Sequence, residues 1–412
     1  MPPFADELNQ RLATLRQQRL YRELRPVDSA PGPRLEIGGQ TFLNFSSNDY
    51  LGLASHPALK DAAIKAVEKF GAGAGASRLI CGSLAPFHEL EDSLAAFKKT
   101  EAALTFSTGY AAALGTITAL MGKDDIIILD KLVHACIVDA AKLSGAKLRV
   151  FAHNDLNDLE DKMRWASGQS RVTHHASNVL IVTESIFSMD GDAAPLREIV
   201  ALKEKYGAWL MVDEAHATGI LGESGRGLAD VLGVSQHIEI QMSTLGKALG
   251  ASGGFICGRR ALIDFLVNRA RSFIFSTAPV PAAAAAAAAG IQIAQSSEGE
   301  KRRENLRECV KQCRTGVAPV SNLLNIGDRR DACPTPGAII PLILGDEAKA
   351  VAAAAQLREQ NIFVPAIRYP TVARGAARLR ITLTASHSAD DVSTLARALG
   401  DLKSEISNSK LA

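Results

Sequence analysis

The chain has 412 residues, 47% hydrophobic and 22% charged, and a formal net charge of +2. That length predicts roughly two to three domains of an ordinary soluble globular protein. So small a charge excess excludes an electrostatic case for nucleic acid or an anionic membrane as partner. The six cysteines form no CxxC pair, and Cys309 and Cys313 lack nearby histidines, which argues against a disulfide framework or a zinc site. Residues 1–10 include Asp6 and Glu7 and no apolar core, so no signal peptide is expected and the cytoplasm is the default location.

In chain order, Leu8, Leu12 and Leu15 share one face of a helix predicted over 7–24. Arg16, Arg19, Arg22 and Arg25 cluster late in it, as a solvated face or, less economically, a site. Pro26, Pro31 and Pro33 break the helix, and 35–44 reads as a hairpin turning at Gly38-Gly39. The stretch 44–53, Asn-Phe-Ser-Ser-Asn-Asp-Tyr-Leu-Gly-Leu, is dense in hydrogen-bonding side chains ahead of a helix over 56–70. The Gly-rich run 71–78 loosely fits a dinucleotide motif, but it follows a helix where that motif must follow a strand, so a flexible loop near a ligand is expected.

A helix over 87–99 precedes a strand over 102–106. Ser107-Thr108-Gly109-Tyr110 then opens a helix over 111–121, a natural anion seat of free backbone N–H groups at a helix N-terminus. Strands follow over 125–129, 148–152 and 178–183, then a helix over 195–206. His174-His175 reads as surface loop and not as a metal site.

The apolar run 208–212 stops at Asp213, with His216 three residues on. The run 238–242 ends in Ser243-Thr244-Leu245-Gly246-Lys247, a lone Lys among small residues. A desolvated Lys is a plausible Schiff-base nucleophile, and an Asp, a His and a Lys at strand ends suit pyridoxal phosphate: the Lys binds the aldehyde and the Asp pairs with the ring nitrogen. Taken singly, a salt-bridged Asp and a surface Lys explain the same residues. A strand over 253–257 and an alanine-rich helix over 281–294 complete the region; alanine is too weakly hydrophobic for this helix to be a membrane span. Beyond 290, a charged helix over 298–313 leads to strands over 338–344, 362–364 and 379–383 and helices over 348–359 and 390–399. The expected organisation is an N-terminal helix and hairpin over 1–50, a large α/β domain over 51–290 with its ligand at the sheet's C-terminal rim, and a smaller α/β domain over 291–412.

The chain resembles the α-oxoamine synthases. The resemblance rests on 44–53, 187–192 (Phe-Ser-Met-Asp-Gly-Asp), 213–219, 244–247 and 378–387, and extends from about Arg22 to His387. It implies fold type I of the pyridoxal-phosphate-dependent transferases, a large mostly parallel-sheet domain plus a smaller C-terminal α/β domain, and a homodimer with its sites at the subunit interface. By the same resemblance Lys247 carries the cofactor, Asp213 pairs with the pyridine nitrogen, His216 contacts the phenolic oxygen and His134 stacks on the ring. Gly109, Tyr110 and Thr244 hold the phosphate, Ser188 lies against the cofactor, and Ser276 and Thr277 reach the partner subunit's phosphate. Arg22, Asn48, Thr371 and Arg380 contact substrates, with Arg380 on the amino-acid carboxylate and Arg378 as the alternative grip.

Within the family, 151–155, 183–192, 366–372 and 378–384 favour the member of biotin synthesis that condenses L-alanine with a pimeloyl thioester, on coenzyme A or acyl carrier protein. The loop 71–82 is closer to 2-amino-3-oxobutyrate CoA ligase, which condenses glycine with acetyl-CoA, and Arg374 departs from the family's usual acid or small residue. A non-catalytic cofactor-binding regulatory protein is the reading from another class.

Overall fold

The structure, a computed structural model, describes residues 3–18, 20–173, 177–323 and 337–408. His174 and His175 lie outside the described residues. The chain divides into two compact units, Asp49–Glu304 with Ala332–Gly337, and Met1–Asn48 with Asn305–Asp331 and Ala338–Ala412.

The larger unit is built on a seven-stranded sheet. Its spatial order is Ala102–Phe106, Gly254–Gly258, Ile240–Thr244, Trp209–Asp213, Val179–Glu184, Ile126–Asp130 and Lys147–Phe151. Gly254–Gly258 runs antiparallel to both its neighbours, while the strands from Ile240–Thr244 to Lys147–Phe151 pair in parallel. Parallel strands need both faces covered, and the sequence supplies apolar residues at successive positions for that purpose. Ile127, Leu129, Leu180, Val182, Met211 and Met242 enter the core on one face. Their alternates Ile126, Ile128, Ile181, Leu210 and Val212 enter the core on the other. Helices Gly109–Leu120, Ala135–Ser144 and Arg260–Arg269 contribute Ile117, Ile137 and Leu266 to the first core. Leu156–Thr173 and Leu196–Tyr206 contribute Leu159, Met163 and Ile199 to the second.

The alanine-rich helix Pro281–Gln295 packs on Pro57–Phe70 and Ala85–Lys98, where short side chains permit close approach. Among the described residues no helix is long and apolar enough to cross a membrane.

In the other unit the hairpin Arg34–Ile37/Gln40–Asn44 turns at Gly38 and Gly39, both at positive φ (59° and 77°), as a tight two-residue turn demands. Ile362–Phe363 adds to Gln40–Asn44 in parallel, so the hairpin that the sequence sets apart over 1–50 shares a sheet with a C-terminal strand. A second sheet has Ala377–Thr382 between Ile339–Gly345 and Ala366–Ile367, both antiparallel to it. The first helix ends at Gln17 and not at 24. None of its residues is buried, so periodicity alone does not carry it further.

Candidate active site

Six strands end at one rim of the large sheet, and four of them close on a polar residue. Asp130, Glu184, Asp213 and Thr244 close their strands, and Ser107 follows Phe106. Asp213 and Glu184 stand directly opposite one another on adjacent parallel strands and are 6% and 2% exposed. Two carboxylates so placed cannot both ionise cheaply. Burial, and then the charge of Asp213, push Glu184 well above the usual carboxylate range, although the backbone N–H groups of His134 and Ser188 donate to it. One Glu184 oxygen, Oε1, has no hydrogen-bond partner. Burial also raises Asp213, against the pull of Lys247, the Ala215 N–H at 2.9 Å and His134. Both are raised, Glu184 the further, which favours the proton on Glu184 and the charge on Asp213.

The segment after Asp213 folds back at once. The Glu214 N–H donates to the Met242 carbonyl at 2.8 Å, and the Glu214 carboxylate is fully buried against Lys98 and the Ala229 N–H (3.0 Å). This fixes the turn that presents His216. Its Nε2 lies 2.8 Å from Lys247 Nζ, and its Nδ1 lies 2.5 Å from the Tyr50 hydroxyl. Lys247 itself sits in a tight turn closed by Leu245 N–H to Gly253 O (2.9 Å) and Gly250 N–H to Lys247 O (2.9 Å). Gly250 has φ +68°, and a Cβ there would stand 2.6 Å from the Leu53 carbonyl carbon. Only glycine fits, so the chain near Tyr50 and the Lys247 turn can close on one another.

His134 caps the helix Ala135–Ser144. Its Nδ1 accepts from the Cys136 N–H at 3.3 Å and lies 3.0 Å from Cys136 Sγ. An accepting Nδ1 leaves the proton of the neutral ring on Nε2. Desolvation by the surrounding protein lowers the imidazole pKa, the Asp213 charge opposes this, and Lys247 reinforces it.

The strand, the turn and the helix start around Gly109 form as the sequence predicts. Thr108 caps the helix Gly109–Leu120 by accepting from Ala111 N–H at 3.0 Å, and the first-turn N–H groups of Gly109 and Tyr110 have no carbonyl within the helix to bond. Gly109 packs beside Thr244, and a Cβ on Gly254 would stand 2.5 Å from Gly109 N. The Tyr110 hydroxyl donates to Asp139 at 2.8 Å, which leaves the backbone N–H as this residue's donor to an anion. The Thr244 hydroxyl donates to Gly253 O at 2.8 Å. A reactive amine, a buried carboxylate and an N–H-rich helix start at one sheet rim, with an unpaired carboxyl oxygen among them, fit pyridoxal phosphate.

Ser188 is buried in the loop after Glu184, whose ends join through an Ile186–Ala193 bridge. His153 ties that loop down, at 2.9 Å from Asp130 and 2.8 Å from Asp192. Thr277 pairs with Ser77, and Ser276 Oγ donates to Thr277 O at 3.1 Å, so this pair belongs with the Gly-rich loop. That loop is anchored by Arg78, which forks onto Glu91 at 2.9 and 3.0 Å. In the other unit Arg380 is 5% exposed and donates to Asn48 Oδ1 (3.1 Å) and Thr382 Oγ1 (3.0 Å). Arg22 donates to the Tyr369 carbonyl at 3.5 Å, two residues from the exposed Thr371. Sequence reasoning assigns no role to Tyr50, Glu184 or Cys136. For Glu184 a signal exists: like Asp213, it is an acid that ends an apolar strand.

Residues 40–399 match the family described as Aminotransferase class I and II. The chain belongs to that family. The 8-amino-7-oxononanoate synthase of Anaeromyxobacter sp. (strain Fw109-5) is 47% identical over 397 residues, 96% of each chain. That of Herminiimonas arsenicoxydans is 43% identical over 96% of this chain and 98% of its own. Among solved structures, Sphingomonas wittichii serine palmitoyltransferase matches with a TM-score of 0.86 at 31% identity, covering 97% of this chain and 96% of that one. The 8-amino-7-oxononanoate synthase from Francisella tularensis matches with a TM-score of 0.73 at 27% identity, over 90% and 99%. The chain is thus an α-oxoamine synthase with the expected fold, a pyridoxal-phosphate-dependent acyltransferase.

Proposed function

We propose that the enzyme joins L-alanine to a pimeloyl thioester, releasing carbon dioxide and the thiol, to give 8-amino-7-oxononanoate. The observation that carries the site assignment is Lys247 Nζ at 2.8 Å from His216, with the Asp213 carboxylate closing the neighbouring strand. Bound pyridoxal phosphate supplies an aldehyde to capture the amino acid and a ring that accepts an electron pair. Asp213, ionised beside the protonated Glu184, holds a proton on the ring nitrogen. Lys247 would hold that aldehyde, and its free Nζ is the base placed to take the proton from the α-carbon of alanine and to return one. His216 would contact the phenolic oxygen through Nε2. His134, neutral and protonated at Nε2, stacks on the ring or donates to the thioester carbonyl.

Gly109 and Tyr110 bind the phosphate through their N–H groups, with Thr244 beside them. Ser188 would lie against the cofactor, and Ser276 and Thr277 would serve the phosphate of a partner in a homodimer. Arg380 grips the alanine carboxylate, because a guanidinium binds a carboxylate through two parallel hydrogen bonds. Asn48, Arg22 and Thr371 complete the substrate contacts, and the enzyme works in the cytoplasm.

A panel of amino acids and acyl thioesters, on coenzyme A and on acyl carrier protein, tests the reading. Turnover of L-alanine with a pimeloyl thioester is expected. Turnover of glycine with acetyl-CoA and none with that pair would overturn it.

A further inference from the structure

Tyr50 is fully buried, and His216 is 5% exposed. A phenol hydroxyl in that position must be hydrogen-bonded, and the structure sets it 2.5 Å from Nδ1 of His216, with the rings tilted 59° to one another. The other ring nitrogen of His216 lies 2.8 Å from Lys247 Nζ. The result is an unbroken line from Tyr50 through the imidazole to the reactive amine. The Tyr50 backbone is held in step with it. Leu53 N–H and Ala54 N–H donate to Asp49 at 2.8 and 3.1 Å, and Gly250 lets the Lys247 turn close against Leu53.

The chemistry of the three groups gives this line two working polarities. A charged Lys247 can only donate, so Nε2 must accept, the ring proton sits on Nδ1, and Nδ1–H donates to the Tyr50 oxygen. Once Lys247 is engaged with an aldehyde, a neighbouring phenolic oxygen needs a donor. The proton then sits on Nε2, and the Tyr50 O–H donates to Nδ1. Only a group that both donates and accepts can complete Nδ1 in both states, and a hydroxyl is such a group. A carboxylate would hold the proton on Nδ1 permanently, and a carbonyl would do the same.

We propose that Tyr50 is a positioning residue that lets the His216 imidazole change tautomer as Lys247 changes from a charged amine to an engaged one. The role deepens the reading of Lys247 as the cofactor-bearing residue and rests on it. Tyr50 touches neither substrate nor cofactor in this account; it acts through His216.

The test is Tyr50→Phe, which keeps the ring and removes the hydroxyl. In the enzyme reconstituted with pyridoxal phosphate, the pH midpoint of the cofactor's visible band should move by about one unit, a tenfold change in that equilibrium. The kcat should fall roughly 10- to 100-fold, the range seen when metal-bound histidines lose the partner that fixes their tautomer, while KM for L-alanine stays within about twofold. In the apoprotein labelled with ring-15N histidine, the His216 nitrogen resonances should move toward those of a free imidazole. An unmoved band midpoint together with unmoved His216 resonances would overturn the proposal.

Should the variant fail to fold, 3-fluorotyrosine incorporated throughout keeps every ring and acidifies every hydroxyl. It must then shift the His216 Nδ1 resonance, and an unshifted one overturns the proposal equally. If the wild-type protein takes up no cofactor, it is the Lys247 assignment that fails, while the apoprotein spectra still decide the contact with Tyr50.

Discussion

Replacing Lys98 with Met would remove the counter-charge of Glu214 and leave that carboxylate buried with only the Ala229 N–H to stabilise it. Lys98 is 3% exposed and Glu214 not at all; the Lys98 ammonium also donates to the Arg226 carbonyl at 2.5 Å. Breaking a buried ion pair from one side costs about 3–5 kcal/mol, because the remaining charge stays desolvated. For a domain of this size that is a fall in melting temperature of ~6–10 °C. Removing both charges, as Lys98→Met with Glu214→Gln, should recover most of the loss, since a neutral amide no longer needs the ammonium. Scanning calorimetry at fixed protein concentration, with and without saturating cofactor, reads both variants. Glu214 directly follows Asp213, so cofactor affinity should fall in the single variant and return in the double. A single variant within about 1 kcal/mol of the parent, or a double variant no better than the single, would refute the reasoning.

Burial alone would lower the His153 pKa, but the hydrogen bonds and charges of Asp130 and Asp192 outweigh it and raise the group to about 9. Its protonated form then adds stability that is fully present below about pH 6.5 and lost as pH rises through 9, worth about 2–3 kcal/mol at neutral pH. His153→Gln should therefore flatten the alkaline limb of a stability–pH curve, and an unchanged limb contradicts the charge assignment. Arg380→Lys should raise KM for L-alanine roughly 30- to 150-fold, the equivalent of about 2–3 kcal/mol of charge-assisted hydrogen bonding, with little change for the thioester. Steady-state kinetics with each substrate varied checks this. Gly250→Ala forces a side chain into the left-handed region and against Leu53, so it should cost at least ~1–3 kcal/mol. Calorimetry reads that loss, and the variant should also retain less cofactor through gel filtration.

Much of the sheet is legible because its strands are short apolar runs that stop at polar residues. Val179–Glu184, Trp209–Asp213 and Ile240–Thr244 each appear within about two residues of their predicted bounds. The same rule delivers Asp213 and Lys247, which mark the rim by themselves. What stays hidden is whatever depends on strand order. That Glu184 faces Asp213 follows from the pairing of two strands joined through a helix, and the contacts of Tyr50 with His216 and Lys98 with Glu214 join residues 166 and 116 positions apart. Local chemistry is also redirected by neighbours. Tyr110 lies in the first turn of its helix, yet Asp139, one turn into another helix, takes its hydroxyl. The helix over 7–24 shows the opposite limit: a leucine stripe of which no residue is buried carries only as far as Gln17.

The central claim is that one amine, held beside His216 and Asp213, carries the cofactor's aldehyde. Borohydride reduction of the isolated holoenzyme, followed by peptide mapping, addresses it directly. A single pyridoxyl label on Lys247 is the predicted result. A label on any other lysine, or a protein that takes up no pyridoxal phosphate at all, would contradict it.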